Sequence, residues 1–336
     1  PDDDAPGEGE EPAEPPAPPF DALLTAALAC PTLEDGAFDT CEAFDAWVSA
    51  DQPAFAEGRA NGRLLALLAE KDPKKRILAA EQLRMTLHEE NLDAKTADLM
   101  IDALAAERVP GAQKPVAAMV TAQNLVKVGK LARLVEVAKA HPDEDMRVED
   151  MLGLGFGSDT RDPILVDWAL GTAGDKSSQV RNAALRLAAN NTKTDPKRAC
   201  KLVNDLRRDK DGFVRPRAHS LLAESPACKE YFGALVADLE RAKLADYGKV
   251  KDGVHFEEAG ALRKLCKHAE LDAKLRPRVV KAAERIATAP AVGWNVRLDG
   301  LEAVAQCDPA AGKALATKLS SDPEPRLASR AKDLAK

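Results

Sequence analysis

Six cysteines, five histidines and one glycine-rich run are the residues whose types and spacing bear on chemistry. The cysteines are Cys30, Cys41, Cys200, Cys228, Cys266 and Cys307, and no CxxC occurs among them, so neither a zinc knuckle nor a dithiol redox motif is spelled out. The histidines are His88, His141, His219, His255 and His268, with no HxH or HExxH pair. His88, in "LHEEN", has carboxylates beside it but no second histidine one turn later, so solvated or core imidazoles are expected rather than metal ligands. The run "GLGFGSD", Gly153–Asp159, is glycine-rich like a phosphate-binding loop. Such a loop needs a strand before it and a helix after it, whereas a helical pattern precedes this one and no Gly-Lys-Ser/Thr follows. Its glycines are expected to stop a helix. No nucleophile elbow is present. No catalytic residue, metal or cofactor is expected from these motifs.

The background against which they sit is helical and, after the first 19 residues, formally neutral. The chain has 336 residues, 45% of them hydrophobic but only 4% aromatic. Abundant alanine with few aromatics favours closely packed helices over sheets. The net charge of −7 comes from residues 1–19, which carry seven acids and no base, leaving 48 acids against 48 bases in the rest. A neutral body argues against a dedicated nucleic-acid binder. Residues 1–19 also hold seven prolines and cannot bury a core, so they are expected to form a disordered, extended tail. No run approaches the length of a transmembrane helix. The chain starts without Met, from which an N-terminus already removed is expected.

From Phe20 onward apolar residues recur at spacings of three and four. "FDALLTAALAC" and "TCEAFDAWVSA", joined by the turn "PTLEDG", read as a helical cap over residues 20–57. Over 58–336 an element then repeats. "DPKKRILAAEQL" from Asp72, "DEDMRVEDMLGLG" from Asp143, "DKSSQVRNAALRLAA" from Asp175 and "DKDGFVRPRAHSLLA" from Asp209 are copies of it. So are "GWNVRLDGLEAVA" from Gly293 and "DPEPRLASRAKDLA" from Asp322. The aligned arginines are Arg76, Arg147, Arg181, Arg215, Arg297 and Arg326. Degenerate copies put Lys114 and Glu257 at the same position, and successive intervals are 38, 33, 34, 34, 42, 40 and 29 residues. Periods of this size denote stacked helix pairs. An aspartate before a helix caps its free N–H groups, and it can also meet an arginine fork on the same or a neighbouring helix. A structural ladder of such contacts is expected beside an apolar seam of Val180, Ala184, Leu187 and Ala188.

These repeats resemble the HEAT and HEAT-like (PBS-lyase-type) family, most closely in "DKSSQVRNAALRLAANN" and "DKDGFVRPRAHSLLAES". The resemblance implies an all-α, right-handed α-solenoid of helical hairpins whose curved surface binds another protein, with no cofactor. Enzymes also occur among HEAT-like folds, so a lyase or nucleic-acid-repair activity stands as the alternative. The paired His-Glu iron motif of the HEAT-like hydroxylases does not occur here. A third reading is nucleic-acid binding through Lys193–Arg217, which holds nine bases against four acids. Aromatic residues for base stacking are scarce there, and solvated helix faces account for the patch.

The repeat register narrows the fifteen pairings that six cysteines allow. Cys30 and Cys41 flank the cap turn. Cys200 and Cys228 each follow a proline, Pro196 and Pro226, that reads as the first turn of a helix. Cys266 and Cys307 fall near the ends of adjacent, equivalent helices. Cys30–Cys41, Cys200–Cys228 and Cys266–Cys307 are therefore the expected disulfides. Bridges belong to a periplasm or the cell exterior. The tail resembles the spacer after the lipidated cysteine of bacterial lipoproteins, which implies an exported, lipid-anchored scaffold, although that cysteine is not in the sequence. Leu244–His255 lies in the longest repeat interval, and its Tyr247, Lys249 and Lys251 are the candidate partner contacts.

Overall fold

Aspartate and proline mark most of the helix starts. Asp93, Asp162, Asp195 and Asp308 each accept a backbone N–H of the first turn that follows. Pro110, Pro163, Pro196, Pro309 and Pro325 each occupy the first helical position, where their missing N–H costs nothing. The computed structural model describes residues 19–49, 62–86, 93–120, 125, 127–148, 151, 162–244, 256–268 and 271–336. Among these the regular structure is helical, apart from an isolated bridge between Thr32 and Phe38. The chain divides into two compact units, residues 1–130 and 131–336.

In the first unit the helices are α1 (Phe20–Leu28), α2 (Glu42–Ser49), α3 (Arg63–Leu68), α4 (Pro73–Thr86), α5 (Ala94–Ala106) and α6 (Pro110–Met119). Both α1 and α2 pack on α4, and α4 packs on α6. Trp47 anchors this core. Its indole N–H donates to the carbonyl of Leu78 at 2.9 Å, and Phe20 meets it edge-on at 5.5 Å between ring centroids. The indole therefore buries its area without stranding its one donor.

In the second unit the helices are α7 (Leu131–Ala140), α8 (Pro163–Thr172), α9 (Ser178–Asn190), α10 (Pro196–Leu206) and α11 (Val214–Glu224). A 3₁₀ turn (Pro226–Tyr231) leads to α12 (Phe232–Arg241), α13 (Phe256–Cys266), α14 (Arg276–Ala287), α15 (Trp294–Cys307), α16 (Pro309–Leu319) and α17 (Pro325–Ala335). Consecutive helices pack as pairs, and α9, α11, α13, α15 and α17 also pack each on the next of their own set. Arg181, Arg215, Arg297 and Arg326, with Glu257 on α13, belong to these five helices, which form one layer. Helices α10, α12, α14 and α16 lie against it. The seam residues Val180, Ala184, Leu187 and Ala188 are all fully buried. Within this unit two glycines permit the closest approaches. A Cβ on Gly312 would lie 2.3 Å from the Cα of Ala305, and one on Gly300 would lie 2.8 Å from the carbonyl oxygen of Ala283.

Candidate functional site

Three of the repeat arginines, Arg76, Arg181 and Arg297, tie the start of one helix to the turn before a later one. Arg181, 5% exposed, donates from Nη1 to the carbonyls of Asp175 and Lys176 in its own turn, at 2.9 and 3.1 Å. Its other two nitrogens form a fork on the carboxylate of Asp209, 28 residues on, at 2.7 and 2.8 Å. Arg297 does the same with Asp322, at 3.1 and 2.5 Å, and adds a bond to the carbonyl of Ala287. In the first unit Arg76 donates to the carbonyls of Glu70 and Lys71 and forks onto Glu107 at 2.7 and 3.0 Å. Arg147 reaches the carbonyls of His141 and Pro142, and Arg215 that of Asp209. Arg326 instead lies over the ring of Trp294, 5.2 Å from its centroid.

These forks shift the carboxylates they hold. The Arg181 hydrogen bonds hold the Asp209 carboxyl below its ordinary range, and Arg297 does the same for Asp322. At Glu107 burial pushes upward, but hydrogen bonds from Arg76 and from the backbone of Val109 and Arg108 outweigh it, and the net shift is downward. The sequence marked the arginines but not this last acceptor. Glu107 lies beyond the end of a helix instead of at a repeat start, and its one visible signal is an acid shortly before Pro110.

The ladder changes character at α13, where glutamate takes the arginine's place. Glu257 receives Arg217 of α11 at 2.8 Å, and burial pushes its carboxyl upward. The next residue, Glu258, accepts from Nδ1 of His219 at 3.0 Å, with both side chains buried. The other face of that imidazole looks toward Asp238 of α12, at 3.7 Å, and Asp238 is also paired with the buried Arg207 and with Arg241. Four consecutive helices thus meet through one polar knot. Further along the same layer Arg263 bridges Asp299 and Glu302 at 3.3 and 2.5 Å, and burial pushes the Asp299 carboxyl upward.

In the first unit an open groove of about 430 Å³ runs between α3 and α5. Leu65, Leu68, Leu99 and Ala103 line its apolar wall, and the Arg76–Glu107 pair closes one end. Those two charges already satisfy each other, so they add a rigid end wall and no unspent acid or base.

The cysteines come together as Cys30 with Cys41, Cys200 with Cys228, and Cys266 with Cys307, at Cα separations of 5.9, 5.2 and 4.9 Å. These pairs fit an oxidising environment. Nδ1 of His141 accepts from the backbone N–H of Asp143, and His268 donates to the carbonyl of Ala223 while stacking on Phe232. No cluster of metal-ligating side chains occurs among the described residues, and no described helix is long and apolar enough to cross a membrane. Within Lys193–Arg217, Arg198, Lys201, Arg207 and Arg217 are each engaged by a carboxylate. His88, His255, the Gly153–Asp159 run, the tail before Pro19 and the candidate contacts Tyr247, Lys249 and Lys251 lie outside the described residues. No family model matches the chain, and no curated protein does.

Proposed function

We propose that the chain is a non-catalytic interaction scaffold, an α-solenoid of HEAT-like hairpins that presents a curved helical surface to another protein. The observation that carries this reading is the repeated rung: Arg181–Asp209 and Arg297–Asp322 join successive members of one helix layer with the same fork. Successive members of that layer pack on one another more extensively than α12 and α14 of the opposite layer do. Unequal spacing of two layers bends a stack toward the tighter one, and such stacks bind along their length. Solenoid geometry and membership of the HEAT-like family are part of the proposal and rest on the repeat pattern. Export to a periplasm or cell surface, with the acidic segment as tether, rests on the three cysteine pairs together with the tail's composition.

Affinity capture from the native source, without reductant, tests the scaffold reading. A protein that co-elutes as a stoichiometric complex on size exclusion supports it. Retention of nucleic acid alone, or turnover of a small substrate by the purified chain, overturns it.

A further inference from the structure

The formal neutrality of residues 20–336 conceals a division between the two units. Residues 20–130 carry 12 bases and 17 acids, whereas residues 131–336 carry 36 bases and 31 acids. The surplus in the second unit is greatest on the helices opposite the arginine ladder. Together α10, α12, α14 and α16 hold ten Lys and Arg against four Asp and Glu. Their guanidinium groups are engaged. Arg198 is held by Asp195 and Asp167, Arg278 forks onto Glu240, and Arg285 donates to the carbonyls of Leu239 and Ala242. The exposed charges on these helices are Lys197 and Lys201 on α10, Lys281 on α14, Lys313 and Lys318 on α16 and the Asp238-paired Arg241 on α12, against the acids Asp205 and Glu284. Lys201 shares its charge with Asp205 on the same helix yet keeps 66% of its side chain accessible.

We infer that this lysine-bearing face docks an acidic, extended polypeptide segment of the scaffold's partner. The inference rests on the scaffold reading and adds the partner's chemistry and the face it meets. Three features select this occupant. Lys197 and Lys201 are one helical turn apart, about 6 Å along the axis, close to the roughly 6.7 Å between alternate side chains of an extended chain. The planar forks suited to bidentate phosphate contact are spent on protein carboxylates and carbonyls, which disfavours nucleic acid. Among the described residues of this unit the exposed large apolar side chains are Leu170 and Phe213, and neither is on these four helices, so no base-stacking or membrane-inserting anchor accompanies the charge.

The test uses the full chain and fluorescently labelled polyglutamate as the probe, with a DNA duplex and phosphatidylglycerol vesicles in parallel. Polyglutamate is expected to bind at low salt and to weaken as salt rises. The triple variant Lys197→Glu, Lys201→Glu, Lys281→Glu is expected to lose at least about tenfold in affinity. A control of equal net charge, Lys95→Glu, Lys114→Glu, Lys332→Glu, is expected to bind nearly as the native chain does. Equal loss in both variants, or tighter binding of DNA or vesicles than of polyglutamate, overturns the inference. So does failure of polyglutamate to bind at all. Should a partner captured from the source bind the triple variant unchanged, the scaffold reading stands and the acidic-partner inference falls. Circular dichroism of each variant confirms that these exposed replacements leave the fold in place.

Discussion

Asp209 serves two repeats at once. Its carboxylate takes the Arg181 fork and also accepts from the backbone N–H of Asp211, while its carbonyl accepts from Arg215. Removing the carboxylate strands a guanidinium in the interior, so Asp209→Ala is expected to cost about 3–5 kcal/mol in urea unfolding, beyond the reach of a surface substitution. Asp209→Asn keeps an acceptor and loses less. The paired change Arg181→Met with Asp209→Leu recovers much of the loss, because an ion pair of this burial is retained more for register than for strength. A loss in Asp209→Ala below about 1 kcal/mol would mean that the rung is ornamental. Gly312 makes a second residue-scale case. A Cβ there meets backbone, so Gly312→Ala should cost about 1–3 kcal/mol, whereas Gly174→Ala, with open space around it, should not. The sequence disclosed the arginines through their spacing. It left open whether each would meet an acid of its own or of a neighbouring helix, because capping and cross-helix pairing use the same aspartate.

Helix starts were the legible part of the elements, since proline and aspartate act locally. Pro196 opens α10 as its spacing indicated. Pro226 opens a 3₁₀ turn instead, because Cys228 adopts φ −95° and ψ 16°, and the α-helix begins only at Phe232. In sequence both prolines read as the first turn of a helix, because the distinction is one of backbone angle that composition does not carry. The polar knot of His219, Glu258 and Asp238 was invisible for another reason: its members are spread over three helices, and only the fold makes them neighbours. The bridge between Cys266 and Cys307 joins the last residues of α13 and α15. Replacing both by alanine is expected to cost about 2–4 kcal/mol. Hydrogen exchange should then show α13 and α15 opening earlier, with α1 and α2 unaffected. Exchange unchanged in α13 and α15 would deny the bridge a structural part.

Across the whole molecule the buried carboxyls pull the pH dependence of stability in two directions. Glu107, Asp209 and Asp322 are held below their unfolded values, so their contribution is complete above about pH 4–5 and is lost as pH falls through the lower folded values. Glu257 and Asp299 are pushed above theirs by burial, so they weaken the fold at neutral pH, and that penalty fades as pH falls through the raised folded values. Thermal melting should therefore hold or rise slightly on mild acidification and then collapse. Glu257→Gln should flatten the upper part of the profile while leaving the collapse in place. A monotonic fall from neutral pH, identical in both chains, would contradict this account.

The bridge between Cys266 and Cys307 closes a loop of 41 residues that contains the whole of α14, and the bridge between Cys200 and Cys228 closes one of 28 that contains α11. A protease that nicks either loop cuts the chain without releasing a fragment. The two pieces remain one molecule, held by a bridge between elements that still pack on each other. Such a nicked protein would migrate as a single species until reductant is added, then separate into two. Damage of this kind would be silent in any assay that does not reduce the sample.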